Sequence, residues 1–325
     1  MVSIGSYRSL SSPLLCGVPQ GSVLGPMLFT LYTSPIEEIV TSHGFDLMLY
    51  ADDSQIYIVC ERPDEVLPSI SSCIDELSTW LSANSLVFNE SKTEAVHFIS
   101  RLSKDHNDLE ILQVGKSVIT LKSKVKNLGV IFENRCDMTA DINRRCKSAF
   151  YGLKRISKLS HLLNQSQTEK LIHAFVTSHL DYGNSLLYGL PQYLIDKLQS
   201  VQNAAARLIS KTQSQSHITP ILKYLHWLPI CKRIEFKILL LTFKHIRGES
   251  PHYFNTMIQG NFNVSTRPTR HNTLCLPRRD TRHTLKTYGH RSFTIAAPIL
   301  WNRLPYFIKS QPDIEHFKKE LKTFL

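Results

Sequence analysis

The stretch "LMLYADDSQIY", residues 47–57, sets two carboxylates side by side between two apolar runs. Its pattern predicts two strands, 46–50 and 55–60, joined by a tight turn that carries Asp52 and Asp53. Two ionised groups this close repel, or one of them takes up a proton, unless a cation lies between them. Magnesium is suited to that place, because it accepts one or two protein carboxylates and completes its shell with water and substrate phosphates. An exposed turn that uses Asp only for its turn chemistry is the other reading, and the dipeptide alone does not choose between them.

Upstream lies "GVPQGSVLGP", residues 17–26. Gly17, Gly21 and Gly25 let backbone approach a ligand closely, and the Gln20 amide offers both a donor and an acceptor. Ser22 is placed to cap a helix that Leu24, Leu28, Leu31 and Tyr32 mark by their spacing, with Gly44 as its end. Taken alone, the loop reads first as a Gly/Pro connector with a cap. Downstream, Val66, Ile70, Ile74, Leu77 and Leu81 form one helical stripe. "SLVFNESKTEAVHFIS" (85–100) reads as a turn running into a strand, and "LQVGKSVITL" (112–121) and "VKNLGVIF" (125–132) read as hairpin-like strands. A first domain of strands and helices therefore spans 1–133. From Asp137, a good cap, the pattern changes to helices with short connections, as in a bundle. Residues 134–214 are expected to form that helical part, and 215–325 a helical and irregular basic tail. The fold class is α+β.

At 325 residues, with 42% hydrophobic and 20% charged residues, the chain has the composition of a folded protein and not of a disordered one. The net charge of +11 points to a polyanionic partner. It is unevenly spread: residues 1–100 hold 3 Lys/Arg against 12 Asp/Glu, and the remainder hold 35 against 15. That asymmetry fits an acidic metal-binding piece joined to a phosphate-binding piece, and equally two solvated surfaces of opposite sign. The seven cysteines make no C-x-x-C pair, and His271 with Cys275 would give only two ligands, so no structural zinc is expected. The opening residues lack the pattern of a secretory signal and no apolar run is long enough to span a bilayer. The expectation is an intracellular protein, in nucleus or cytoplasm, without a membrane partner.

One predicted helix gathers Arg144, Arg145, Lys147, Lys154, Arg155 and Lys158. These can form a track for a nucleic-acid backbone, or simply a solvated face with a basic C-terminal end. Arg267, Arg270, Arg278, Arg279, Arg282 and Arg291 extend the basic character into the tail. Trp227 and Trp301, among apolar neighbours, read as core anchors.

The string "GVPQGSVLGPMLFTLY" followed by "YADD" resembles the reverse transcriptases of non-LTR (LINE-type) retrotransposons, most closely the Jockey/chicken-repeat lineage. "WLSANSLVFNESKTE", "VKNLGVIF", "HAFVTSHLDYGNSLLYG" and "SFTIAAPILWNRLP" continue the resemblance over nearly the whole chain. It implies a right-hand polymerase palm followed by a thumb and tail. It also implies that Asp52 and Asp53 are catalytic and hold magnesium, or manganese in its place, with Asp52 the more direct ligand. Gly17, Pro19, Gln20, Gly21, Ser22 and Tyr50 would line the site for incoming nucleotide and template. Lys92 would be the general acid for pyrophosphate, and the reaction would be in-line phosphoryl transfer from a deoxynucleoside triphosphate onto a DNA primer paired with an RNA template.

The family's third metal aspartate belongs to a segment upstream of the 17–22 loop, and none of the first 16 residues is acidic. The expectation is therefore a C-terminal part of such an enzyme: a truncated palm, a thumb and a tail, inactive alone and with an uncovered apolar sheet edge. Three behaviours stay open: a polymerase completed by further sequence, a nucleic-acid-binding remnant, and an unstable product without activity.

Overall fold

The computed structural model describes residues 3–10, 13, 17–99, 111–114, 117–213, 215–258, 273–276 and 289–325. It is helix-rich, with small antiparallel sheets, and divides into two compact units, Met1–Val125 and Lys126–Leu325.

In the first unit, β1 (Ser3–Ile4) pairs with β2 (Tyr7–Arg8). Helix α1 (Gly25–Thr33) begins later than Ser22, but the Ser22 hydroxyl still accepts the Gly25 N–H (3.0 Å). Pro35 opens a separate helix, α2 (Pro35–Ser42), because proline has no N–H to continue the ladder of α1. Gly44, at φ +77°, ends α2 and lets the Phe45 N–H reach back to the Val40 carbonyl (3.3 Å). Strand β3 (Asp46–Tyr50) then pairs with β4 (Asp53–Tyr57). The second strand thus starts and ends earlier than the expected 55–60. A two-residue turn sets Tyr50 opposite Asp53, and β3 is exhausted when Asp46 faces Tyr57.

Helix α3 (Pro63–Ala83) buries Cys73, Ile74 and Leu77 from its apolar stripe. Cys73 and Leu77 pack with Ile36, Val40 and Phe45, while Ile74 meets Ile119. Among the described residues, 93–99, the strand expected after Lys92 does not form. Glu90–Lys92 is a single tight turn, and beyond it, among the described residues, only Ala95 bridges, to Leu121. Strand β6 (Ser117–Thr120) is paired instead with β5 (Ile111–Val114), so the 94–99 stretch meets only its end. β7 (Lys124–Asn127) pairs with β8 (Val130–Glu133), and the unit boundary falls within β7.

The second unit contains α4 (Thr139–Leu159), α5 (Gln165–Ile172), a π turn over His173–Thr177, α6 (Ser178–Asp181) and α7 (Gln192–Ser210). It continues with α8 (Ile218–Tyr224), α9 (Ile230–Ile246), α10 (Phe254–Met257), α11 (Phe293–Arg303), α12 (Tyr306–Lys309) and α13 (Ile314–Phe324). One continuous core runs from Val130 to Leu321, with Trp227 and Trp301 both inside it. Phe243 and Phe317 stack there at 4.1 Å, joining α9 to α13. Because α7 packs on α4, α8 and α9, residues 134–214 and 215–325 share this core. Asp137 does not cap α4. Met138 takes the capping position at φ +59° without a side-chain bond, and the Glu133 carboxylate reaches across from β8 to accept the Ala140 N–H (2.9 Å). Among the described residues, no helix is long and apolar enough to cross a membrane.

Candidate active site and nucleic-acid interface

The turn between β3 and β4 consists of Ala51 and Asp52. Ala51 sits at φ +53°, a left-handed conformation that costs a non-glycine residue roughly 1 kcal/mol or more, while Asp52 keeps an ordinary φ. The turn thereby places Asp52 at its tip and Asp53 at the start of β4. Tyr50, Asp52 and Asp53 are all exposed, and neither carboxylate is paired with a basic side chain among the described residues. Water surrounds both acids, so their mutual repulsion is screened and a hydrated cation has open access.

Gly17 and Gly21 adopt φ +76° and +88°, the freedom that their role as loop hinges requires. Between them Pro19 and Gln20 are exposed, and the Pro19 carbonyl accepts the Ser22 N–H (3.1 Å), which closes the loop onto the start of α1. Lys92 is exposed, and its backbone N–H is held by the Asn89 side chain (3.2 Å). Among the described residues, no hydrogen bond or ion pair connects Lys92, the 17–22 loop and the 50–53 turn. α1 shows an apolar face to solvent, with Leu24, Met27, Leu28 and Leu31 exposed and Thr33 its buried residue.

On α4 the six basic residues separate into two kinds. Arg145 is 2% exposed. It donates through Nε to Asp141 and through Nη1 to the carbonyls of Tyr182 and His179. This corrects the expectation that Arg145 contacts a nucleic-acid backbone, since its charge is spent inside the protein. Arg144 donates to Asp141 (2.6 Å) and to the Gly129 carbonyl (2.7 Å), so it too serves the β7–β8 hairpin. The fully buried Asp141 also accepts the Ile131 N–H (3.1 Å). Burial alone would raise its pKa, but these hydrogen bonds and the Arg145 charge outweigh that and hold it below the usual carboxylate range. Lys147, Lys154, Arg155 and Lys158 remain on the solvent face.

Asp141 and Glu133 hold roles that were not among those expected from the sequence. The signal was present in Asp141 followed three and four residues later by Arg144 and Arg145, a spacing that puts all three on one helix face. In the tail, Arg291 is partly buried and donates to the Cys136 carbonyl (3.0 Å). Arg267, Arg270, Arg278, Arg279, Arg282 and His271 lie outside the described residues.

The donors at the hairpin turn are hard carboxylate oxygens, right for magnesium, and two of them suffice for one ion whose other ligands are water and phosphate. They do not make a two-metal centre. Among the described residues, no group of three or more His, Cys, Asp or Glu could hold a metal ion.

Residues 5–132 match the family model "Reverse transcriptase (RNA-dependent DNA polymerase)". Residues 5–132 carry a reverse transcriptase domain. This domain includes the 17–22 loop, the 50–53 turn and Lys92. Over 223 residues, the chain is 25% identical to the "Probable RNA-directed DNA polymerase from transposon BS" of Drosophila melanogaster, covering 65% of this chain and 24% of that protein. Over 220 residues, it is 29% identical to the "Probable RNA-directed DNA polymerase from transposon X-element" of the same fly, covering 64% of this chain and 23% of the relative. A third relative, the "RNA-directed DNA polymerase from mobile element jockey", is 29% identical over 106 residues, or 31% of this chain and 12% of its own length. The chain thus spans a quarter or less of the length of these relatives. No solved structure matches it.

Proposed function

We propose that this chain is the palm, thumb and tail of a Jockey-lineage RNA-directed DNA polymerase, with a partial palm over 1–133, a thumb over 134–214 and a tail over 215–325. The observation that carries this reading is the family match over 5–132 falling on an exposed turn whose two carboxylates have no basic partner among the described residues. Asp52 and Asp53 would hold Mg2+, or Mn2+ in its place; when bound, the ion neutralises charge on the phosphates undergoing transfer. Gly17, Pro19, Gln20, Gly21, Ser22 and Tyr50 orient nucleotide and template, and Lys92 protonates the departing pyrophosphate. Lys147, Lys154, Arg155 and Lys158 hold the backbone of an RNA template and DNA primer.

A third carboxylate would come from a further segment, for which the exposed apolar face of α1 and the edges of the β3–β4 pair, a two-stranded sheet among the described residues, offer a seat. The test is primer extension on an RNA template with Mg2+, by this chain alone and by any longer product of the same reading frame. The longer product extends the primer and its Asp52→Ala variant does not. Extension that survives Asp52→Ala overturns the assignment of the turn.

One observation favours a second reading for the chain by itself: the basic face of α4 is complete here, while the acidic turn offers only two carboxylates. Nucleic-acid binding without synthesis would then be salt-sensitive and indifferent to Asp52→Ala. Affinity that does not change with salt overturns it.

A further inference from the structure

The outward face of α4 carries aromatic rings among its cations. Counting 100° per residue, Lys147, Phe150, Tyr151, Lys154, Arg155 and Lys158 fall on one stripe, opposite the buried Ile142, Arg145, Ala149 and Ile156. Tyr151 is 64% exposed and Phe150 43%, high values for rings on a helix whose other face lies in the core. The Arg155 guanidinium lies over the Tyr151 ring at 5.8 Å from its centroid. Phe175, 54% exposed, flanks the stripe. It sits against α4 where Gly152 removes the obstacle, since a Cβ there would come 2.7 Å from the Phe175 carbonyl oxygen. No Asp or Glu occurs between Asp141 and Glu169, and Lys197 of α7 reaches Asn143 (3.1 Å) at the upper end of the stripe.

A surface that only gripped a duplex backbone would need the cations and not the rings, because paired bases are stacked on each other and closed to side chains. Exposed rings alternating with cations suit a strand whose bases are free, since every base has a face to stack and every nucleotide a phosphate. We propose that this face of α4 binds single-stranded nucleic acid, stacking unpaired bases on Tyr151 and Phe150 while Lys147, Lys154, Arg155 and Lys158 take the phosphates. The proposal rests on the nucleic-acid reading of this unit and is independent of catalysis.

The experiment is fluorescence anisotropy of the full chain with a labelled 20-nucleotide uridine strand, free and annealed to its complement, across a salt series. The free strand binds more tightly than the duplex. Tyr151→Ala weakens free-strand binding about ten-fold without changing duplex binding or the salt slope, and Tyr151→Phe restores it. Lys154→Gln weakens both and lowers the salt slope by about one. Tyr193→Ala, an exposed ring on α7, changes neither. Circular dichroism melts establish that each variant is folded. Equal loss on both probes for Tyr151→Ala, no loss at all, or a folded chain that binds duplex and no free strand overturns the proposal; the same holds for a face that captures protein and neither nucleic acid. Missing primer extension by the longer product together with Tyr151-dependent binding overturns the polymerase reading alone, and extension by that product without such binding overturns this proposal alone.

Discussion

The two units of this chain handle apolar sequence in opposite ways. Residues 126–325 bury one continuous cluster in which Trp301, Phe317 and Ile308 are completely covered. Residues 1–125 bury Ile36, Val40, Phe45, Cys73 and Leu77 in one small cluster and Ile74 with Ile119 in another, yet leave Val23, Leu31, Val59 and Val87 facing water. Their charge differs too, with 8 Lys/Arg against 15 Asp/Glu in the first unit and 30 against 12 in the second. The first unit is not poorer in apolar side chains; it is poorer in elements to cover them. Exposed apolar faces and strand edges that are unpaired among the described residues promote self-association when left bare.

The largest test of that contrast is Trp301→Ala. It removes a ring packed against Phe317 (6.1 Å) in the closed core and is expected to cost about 3–5 kcal/mol in chemical denaturation of the second unit. A cost under 1 kcal/mol would show that this core is not closed. Asp141→Asn comes next. It leaves the Arg145 charge buried without its counter-ion, a loss of about 3 kcal/mol or more. The wild-type pH dependence follows from the depressed pKa of Asp141. The stabilisation is fully present above the ordinary carboxylate value of 3.8 and is lost as pH falls through the lower folded value. Denaturation melts of the wild type and Asp141→Asn should therefore converge in acid, and parallel curves there would remove Asp141 from the account.

Gly152→Ala sets a methyl against the Phe175 carbonyl and is expected to cost about 1–3 kcal/mol, read in the same melts. Ala51→Gly acts in the first unit and in the other direction. It relieves the left-handed alanine and should raise the hydrogen-exchange protection of β3 and β4 by up to about 1 kcal/mol. Leu28→Ser with Leu31→Ser should have the smallest effect on stability, within about 0.5 kcal/mol per site, while reducing self-association in size-exclusion chromatography. A large loss from this pair would mean that α1 packs on a surface it does not touch here, and the contrast between the units would fail.

The sequence by itself determined the local parts whose causes lie within a few residues. Gly44 ends α2 because a left-handed residue is needed there, and α3 follows its apolar stripe because 3.6 residues make a turn. The tight turn at 50–53 and the positive-φ glycines of the 17–22 loop were legible too, since both rest on adjacent residues whose backbone demands are visible as letters. The tertiary structure decided what depends on distant chain. Arg145 and Lys147 look alike in sequence, but Arg145 is drawn inward by carbonyls 34 and 37 residues away, while no such acceptor faces Lys147 among the described residues. The true start of α4 was hidden for the same reason, because its N–H group is satisfied by Glu133 of the preceding strand and not by the nearby Asp137. Propensity and spacing act over one turn of helix or one strand pair. Whether a charge meets water, a carboxylate or a carbonyl is settled only when separate segments pack, and that is where the sequence-level expectations for Arg144 and Arg145 gave way.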